Sequence, residues 1–404
     1  MITVQEAEKL ILDNIGRIGA ETVPITEAAG RSLQEPLTAD RPLPPFNRAA
    51  LDGIAISSSA YNMGARVYPV EGVAAAGAPP LELKDFKACI EVMTGAVMPT
   101  GTDCVIPVEE YEMTKKGAKL PDGMIVEFGQ GIHEMGTDCD EGAELLAPGI
   151  ALTAKEIAIA ASIGKYELRV SKSPRIAIIS TGNELVSIVQ TPEPYQIRRS
   201  NDLTLATALA AAGYGDTELI HIPDDPEQIS KSIKDAMSRC DALVLAGGVS
   251  KGKYDYIPET LVKLGVAIRF QWVSQRPGKP MWFGQFSRER ERLPVFALPG
   301  NPVSCFTCLR RYVIPALDKW TDRPAPRPFY VKLDHDLTFK QELTLFLPVV
   351  LDPRPSGELW AKPALFNTSG DFSSVAKTSG FIELPRKRSV FPQGEAFPYY
   401  EWPS

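Results

Sequence analysis

PRIAIISTGNELV, residues 174–186, starts as an apolar, β-branched run and stops at Thr181-Gly182-Asn183-Glu184. Similar runs recur downstream at TELIHIP (217–223), ALVLAGG (242–248) and VAIRFQWV (266–273). The stretches between them read as helices: 202–213, 226–240 and 257–264, with Ile229, Ile233 and Met237 repeating on one face of the second. Strands apolar on both sides belong in a sheet covered by helices on both faces. Strand and helix alternating at this spacing predict a parallel or mostly parallel sheet. Residues 174–320 are therefore expected to form a three-layer α/β domain.

Outward from this domain the pattern changes. Residues 5–18 carry Leu10, Ile11, Ile15 and Ile18 at helical spacing, and 154–163 also read as a helix. ADRPLPPFNRAALDGIAI is a proline-rich elbow, and about 55–139 holds short β-like runs broken by Gly and Pro. This predicts an N-terminal helical and linker unit from 1–54 and 140–173, with a β-rich insertion at 55–139. TDRPAPRPF (321–329) reads as a stiff linker. Beyond it, 329–404 alternates short apolar runs with turns, as a small β-barrel would. The fold class is multidomain α/β plus β.

Composition narrows the function. The 404 residues carry 43 basic and 50 acidic side chains, net −7, which argues against a broad nucleic-acid surface. Thirty-five prolines, well above the ~5% norm, argue against a helical bundle. No apolar run reaches the roughly 18 residues of a membrane helix, and the start lacks a signal-peptide pattern. The six cysteines form no disulfide framework, so the expected compartment is cytoplasmic. Cys305-Phe306-Thr307-Cys308 has no second Cys pair and reads as packing rather than a zinc or redox site.

Ligands of open parallel sheets gather beyond the carboxyl ends of the strands. Three turns fall there: Thr181-Gly182-Asn183-Glu184, Gly247-Gly248-Val249-Ser250, and Leu298-Pro299-Gly300-Asn301-Pro302 ahead of a helix. Any one of them could be an ordinary turn, since Gly, Pro and Asn are common turn residues. Three on one edge predict an anion site, with backbone N–H groups and a helix start as donors. Glu184 and Asp255 belong to the same edge, and carboxylates beside a phosphate cradle make sense with Mg²⁺ between them. Arg276 and Lys279, in RPGKP, would meet phosphate or an oxyanion such as molybdate, or form a solvated basic turn. Asp224-Asp225-Pro226 fits a helix start, with Asp at the cap and Pro following. Asp52, Thr94 and Asp138 lie outside the α/β unit, and Asp-Gly and Thr-Gly pairs taken alone are turns.

LDGIAI, TGAVMPTGTDCVIPVE, GTDCDEG, PRIAIISTGNELV, IRRSN, GGVSKGKYDY, RPGKP and LPGNPVS occur in that order. Together they resemble the MoeA family of molybdopterin molybdotransferases, relatives of the gephyrin and plant Cnx E-domains. The resemblance runs from the first helix to about residue 385. It implies an elongated N-terminal region, a MogA/MoaB-like α/β domain and a C-terminal β-barrel, in a homodimer whose site is shared between subunits. It implies insertion of molybdate into adenylylated molybdopterin with Mg²⁺-assisted release of AMP, and contact with the MogA/MoaB-type adenylyltransferase.

By this resemblance Asp52, Thr94, Asp138, Glu184 and Asp255 are catalytic, and Glu184 and Asp255 hold the metal. Thr181, Gly182, Asp224, Gly247, Gly248, Ser250, Arg276, Lys279, Pro299, Gly300, Asn301, Pro302 and, from TSGD (368–371), Ser369 bind substrate. The chain departs from the family pattern in FNRAALDGIA, in Asn183 where Asp is usual, and in Ala246, Lys251 and Lys253. A non-catalytic cofactor-binding or scaffold paralogue is the alternative, which the intact carboxylates disfavour. The N-terminal elbow and the barrel argue against an amidohydrolase of the CinA type, which shares the α/β domain.

Overall fold

The computed structural model describes residues 1–250, 255–288, 292–325, 328–364 and 371–403. The chain divides into two compact units, one of residues 1–34, 149–153 and 167–404, the other of 35–148 and 154–166.

The first unit is built on a six-stranded sheet. Its strands are β1 (Ile176–Thr181), β2 (Thr217–Ile222), β3 (Ala242–Ala246), β4 (Ala267–Gln271), β5 (Trp282–Ser287) and β6 (Arg292–Leu298), in spatial order β2-β1-β3-β6-β5-β4. β1, β2, β3 and β6 run parallel, β5 runs antiparallel to β6, and β4 runs antiparallel to β5. The sheet is thus mostly parallel, and β5 is the strand that the sequence pattern did not reveal.

Alternate residues of each strand face opposite sides, and both sides are buried. Ile176, Ile178, Val244 and Phe296 join one core with α1 (Val4–Asn14), α2 (Asn201–Ala211) and α5 (Pro302–Cys308). Ala177, Ile179, Leu243, Leu245 and Val295 join the other with α3 (Pro226–Arg239) and α4 (Ile257–Lys263). Each large apolar side chain removed from water contributes about 1.5–3 kcal/mol, which makes the three-layer arrangement the stable one. α3 begins as its sequence suggests: Asp225 accepts from the Gln228 N–H at 2.8 Å and Pro226 follows.

The first helix belongs to this body rather than to a separate N-terminal piece. Thr3 and Glu6 form a reciprocal cap at its start, and Val4, Ala7 and Ile11 are buried in the sheet core. The helix stops at Asn14, short of the expected residue 18. Ile15 and Ile18 remain buried in the same core, so the apolar spacing outlasts the helix. Strand Ala20–Pro24 pairs with Glu167–Ser171, which draws 167–173 into this unit as well.

The C-terminal strands are β7 (Phe329–Leu333), β8 (Thr344–Pro353), β9 (Leu359–Pro363), β10 (Gly380–Leu384) and β11 (Ala396–Glu401). They pair around a ring, β8-β9-β7-β11-β10 and back to β8, closing the expected small barrel. Closure removes free edges, and Val331, Phe397 and Tyr399 fill the interior.

The second unit is β-rich, as 55–139 suggested. Strands Val70–Ala74, Cys89–Val92, Gly53–Ile56 and Cys104–Pro107 make a four-stranded sheet in that order. Among the described residues no helix is long and apolar enough to cross a membrane.

Candidate functional site

The turns leaving β1, β3 and β6 meet at the carboxyl edge of the sheet. Gly182 has φ +145°, and a Cβ on it would lie 2.6 Å from Glu184 Oε2, so only glycine lets that carboxylate fold back over its own turn. The Glu184 carbonyl accepts from Ile197 N–H at 2.8 Å, and Leu185–Val186 pair in parallel with Ile197–Arg198. IRRSN is thereby laid alongside the Glu184 turn. After β3, the Gly247 N–H donates to Leu298 O at 3.0 Å, joining this turn to the end of β6. Gly248 sits at φ +67°, where a Cβ would be 2.7 Å from Ile257 Cγ1 and 3.0 Å from Thr181 Oγ1. Asn201 Nδ2 donates to Gly300 O at 2.7 Å, tying the start of α2 to the turn ahead of α5.

The result is a cleft of about 580 Å³, a size suited to a small organic ligand. Thr181, Glu184, Gly247, Gly248, Ser250 and Asp255 line it, and Pro299, Gly300, Asn301 and Pro302 complete that wall. The starts of α2 and α5 both border it, and the first N–H groups of a helix have no partner within the helix. Gly182 shapes the Glu184 turn from just outside the lining.

Other expected residues stand elsewhere. Asp224 does not line the cleft. Its carboxylate accepts from the Asn183 N–H at 3.2 Å, while its own N–H donates to Asn183 Oδ1 at 3.1 Å. Arg276 and Lys279 are exposed and also outside the lining; of their loop, Pro280 reaches the cleft. Ser369, Lys251 and Lys253 lie outside the described residues.

Asp52, Thr94 and Asp138 belong to the second unit. Asp52 Oδ1 accepts from Thr94 N–H at 2.7 Å and Thr94 Oγ1 at 2.8 Å. The Thr94 backbone N–H, and then its hydroxyl, hold the Asp52 carboxyl below the usual Asp value. Asp138 Oδ1 lies 3.2 Å from His133 Nε2, and His133 Nδ1 lies 3.1 Å from Arg48 Nη2. Arginine can only donate, so Nδ1 accepts and the neutral ring's proton on Nε2 points to Asp138.

Sequence reasoning named IRRSN only as a matching stretch and missed what it does locally. Arg198, Arg199, Ser200 and Asp202 all line the cleft, as does Ser180. Ser180 is buried and its Oγ finds no hydrogen-bond partner among the described residues; Arg199 Nε is likewise buried without one. Trp282 Nε1, Arg323 Nε, Arg386 Nε and Tyr399 Oη share this condition away from the cleft; at the cleft wall, Ser180 and Arg199 offer bonding capacity that a ligand can use. Nothing in the composition of RRSN separates a binding strip from a polar loop; only its parallel pairing with the Glu184 turn does.

Glu184 and Asp255 supply two carboxylates to the cleft. Among the described residues, no three His, Cys, Asp or Glu side chains gather to hold a metal ion unaided. A pair of carboxylates fits Mg²⁺, which is commonly held by one or two such groups together with substrate phosphates and water. Cys305 and Cys308 are buried in the sheet core, and burial pushes the Cys308 thiol up to about 12 and the Cys305 thiol up as well. They are packing groups, not reactive thiols.

Three family regions match in sequence: "MoeA N-terminal region (domain I and II)" at 2–164, "Probable molybdopterin binding domain" at 177–319 and "MoeA C-terminal region (domain IV)" at 330–402. A protein of Synechocystis sp. named molybdopterin molybdenumtransferase is 39% identical over 402 residues, covering all of both chains. One of the same name from Bacillus subtilis is 29% identical, covering 95% of this chain and 90% of its own. The crystal structure of the molybdopterin biosynthesis MoeA protein from Pyrococcus horikoshii superposes over all of this chain and 99% of its own, with a TM-score of 0.80 at 27% identity. From its first helix to its closing barrel, the chain belongs to the MoeA family.

Proposed function

We propose that this chain inserts molybdate into adenylylated molybdopterin and releases AMP, completing molybdenum cofactor. The observation that carries the reading is the cleft itself. It combines glycine turns, two helix starts and two carboxylates, the groups required to hold a phosphoanhydride and manage its charge. The names borne by the Synechocystis and Bacillus relatives support the same reaction.

In this reading the turn after Gly247, whose own N–H is held by Leu298 O, and the first turn of α5 hold the pterin phosphate through the backbone N–H groups of Gly248 and the residues beyond. Glu184 and Asp255 would hold Mg²⁺, and the chemistry it would supply is neutralisation of phosphate charge. Arg276 and Lys279 attract molybdate from the rim beside Pro280, with Ser369 as a further contact. Breaking the anhydride then depends on positioning and electrostatics rather than on a protein nucleophile. The protein acts as a cytoplasmic homodimer, with Asp52, Thr94 and Asp138 entering the site from a second subunit. It receives its substrate from the MogA/MoaB-type adenylyltransferase.

The test mixes purified protein with adenylylated molybdopterin, Mg²⁺ and molybdate, and follows AMP and cofactor. Molybdate-dependent AMP release is expected, lowered at least about 10²-fold in Glu184→Ala and in Asp255→Ala. Tight pterin binding with no AMP released would sink the transfer reaction and leave a cofactor-binding protein.

A further inference from the structure

We propose that Asp224 is a positioning residue: clasped to Asn183, it sets where Glu184 stands in the cleft. The inference rests on the transfer reaction proposed above. β1 and β2 are parallel neighbours with Thr181 opposite Ile222, so their carboxyl ends leave the sheet side by side. Asn183 N–H donates to Asp224 Oδ2 at 3.2 Å, and Asp224 N–H donates to Asn183 Oδ1 at 3.1 Å. Gly182 N–H adds a longer bond to Ile222 O at 3.4 Å.

The geometry separates Asp224 from the chemistry. Glu184, the next residue after Asn183, lines the cleft, and Asp224 does not. The Glu184 backbone is fixed on its other side by Ile197 N–H and the Leu185–Ile197 pairing. The clasp closes the remaining freedom of the turn between Gly182 and Glu184. It needs an acceptor at 224 but no charge, because an amide oxygen accepts the same N–H that a carboxylate does. A group acting on the substrate or on a cation would need the charge. Asn183 meets Asp224 with a neutral acceptor, which keeps a second carboxylate out of the contact.

Asp224→Asn against Asp224→Ala separates the two roles. AMP release and hydrogen exchange over 182–186 would be measured on the full-length protein. Asp224→Ala is expected to lower kcat about 10²-fold, the effect of a misplaced catalytic group, while KM for adenylylated molybdopterin moves less than about threefold. Exchange over 182–186 should quicken. Asp224→Asn should regain at least about tenfold over the alanine variant and return exchange to the wild-type rate. Asn183→Ala, which removes one of the two bonds, should fall between. An Asp224→Asn enzyme as slow as Asp224→Ala, with wild-type exchange, would overturn the proposal and assign the carboxylate a direct role. Unchanged exchange in Asp224→Ala would overturn it too. A wild-type protein that releases no AMP would defeat the proposed reaction, and the exchange comparison would still decide the clasp.

Discussion

The cleft at the carboxyl edge of the sheet and the centre around Arg311 both hold charge within one compact unit, and they handle it in opposite ways. Arg311 has a side chain only 4% exposed, in the π-helical segment Leu309–Val313 that follows α5. Its guanidinium donates to both Glu8 oxygens at 2.7 and 3.0 Å and to Glu383 Oε2 at 2.9 Å. Gln5 and Tyr400 supply further donors to Glu383 at 3.1 and 3.2 Å. This centre ties α1, the π-helical segment Leu309–Val313 and the barrel together. In the cleft, by contrast, Ser180 Oγ and Arg199 Nε have no hydrogen-bond partner among the described residues. Around Arg311 the buried charge is saturated by its neighbours. A site that serves a ligand leaves bonding capacity for the ligand to complete.

Substitutions can break that contrast or sharpen it. The largest effect is expected at Arg311→Ala, which strands two carboxylates and should cost about 3–5 kcal/mol of stability, read from the urea midpoint. The folded fraction should keep its KM, whereas Glu184→Ala should lose turnover and stay within about 0.5 kcal/mol of wild type. Gly248→Ala comes next. At φ +67°, with its Cβ 2.7 Å from Ile257 Cγ1, it should lose about 1–3 kcal/mol in thermal unfolding and bind substrate more weakly. The smallest stability change, and the most telling, is at Ser180→Ala. Removing a buried hydroxyl that has no partner should leave stability unchanged or raise it by up to about 1 kcal/mol. KM for adenylylated molybdopterin should nonetheless rise about tenfold, or 1.4 kcal/mol. A Ser180→Ala protein that unfolds more easily, with KM unchanged, would move Ser180 from the ligand side of the comparison to the structural side.

The parts of the site that were legible in the sequence share one property: each is local. Gly247-Gly248, Gly300-Asn301-Pro302 and Thr181 announce strand-to-helix turns through residue type alone, and strands that alternate with helices place such turns on one edge. Glu184 and Asp255 follow because they lie within a few residues of those turns. Ser180 and Arg199 were not legible. A serine inside an apolar strand and an arginine in a polar loop carry no sign of an unfilled bond until their neighbours are in place. Asp224 illustrates the same limit, since its partner Asn183 is 41 residues away in sequence and adjacent only across two parallel strands.

By itself the sequence determined the α/β alternation, the barrel, the glycine turns and the family, because strand propensity, apolar period and turn chemistry act over a few residues. Tertiary structure alone decided that the first helix joins the sheet core and that β5 runs antiparallel. It also laid IRRSN beside the Glu184 turn and paired Asp224 with that turn outside the cleft. These depend on which distant segments share a buried face or a hydrogen-bond register, and a local pattern does not carry that choice.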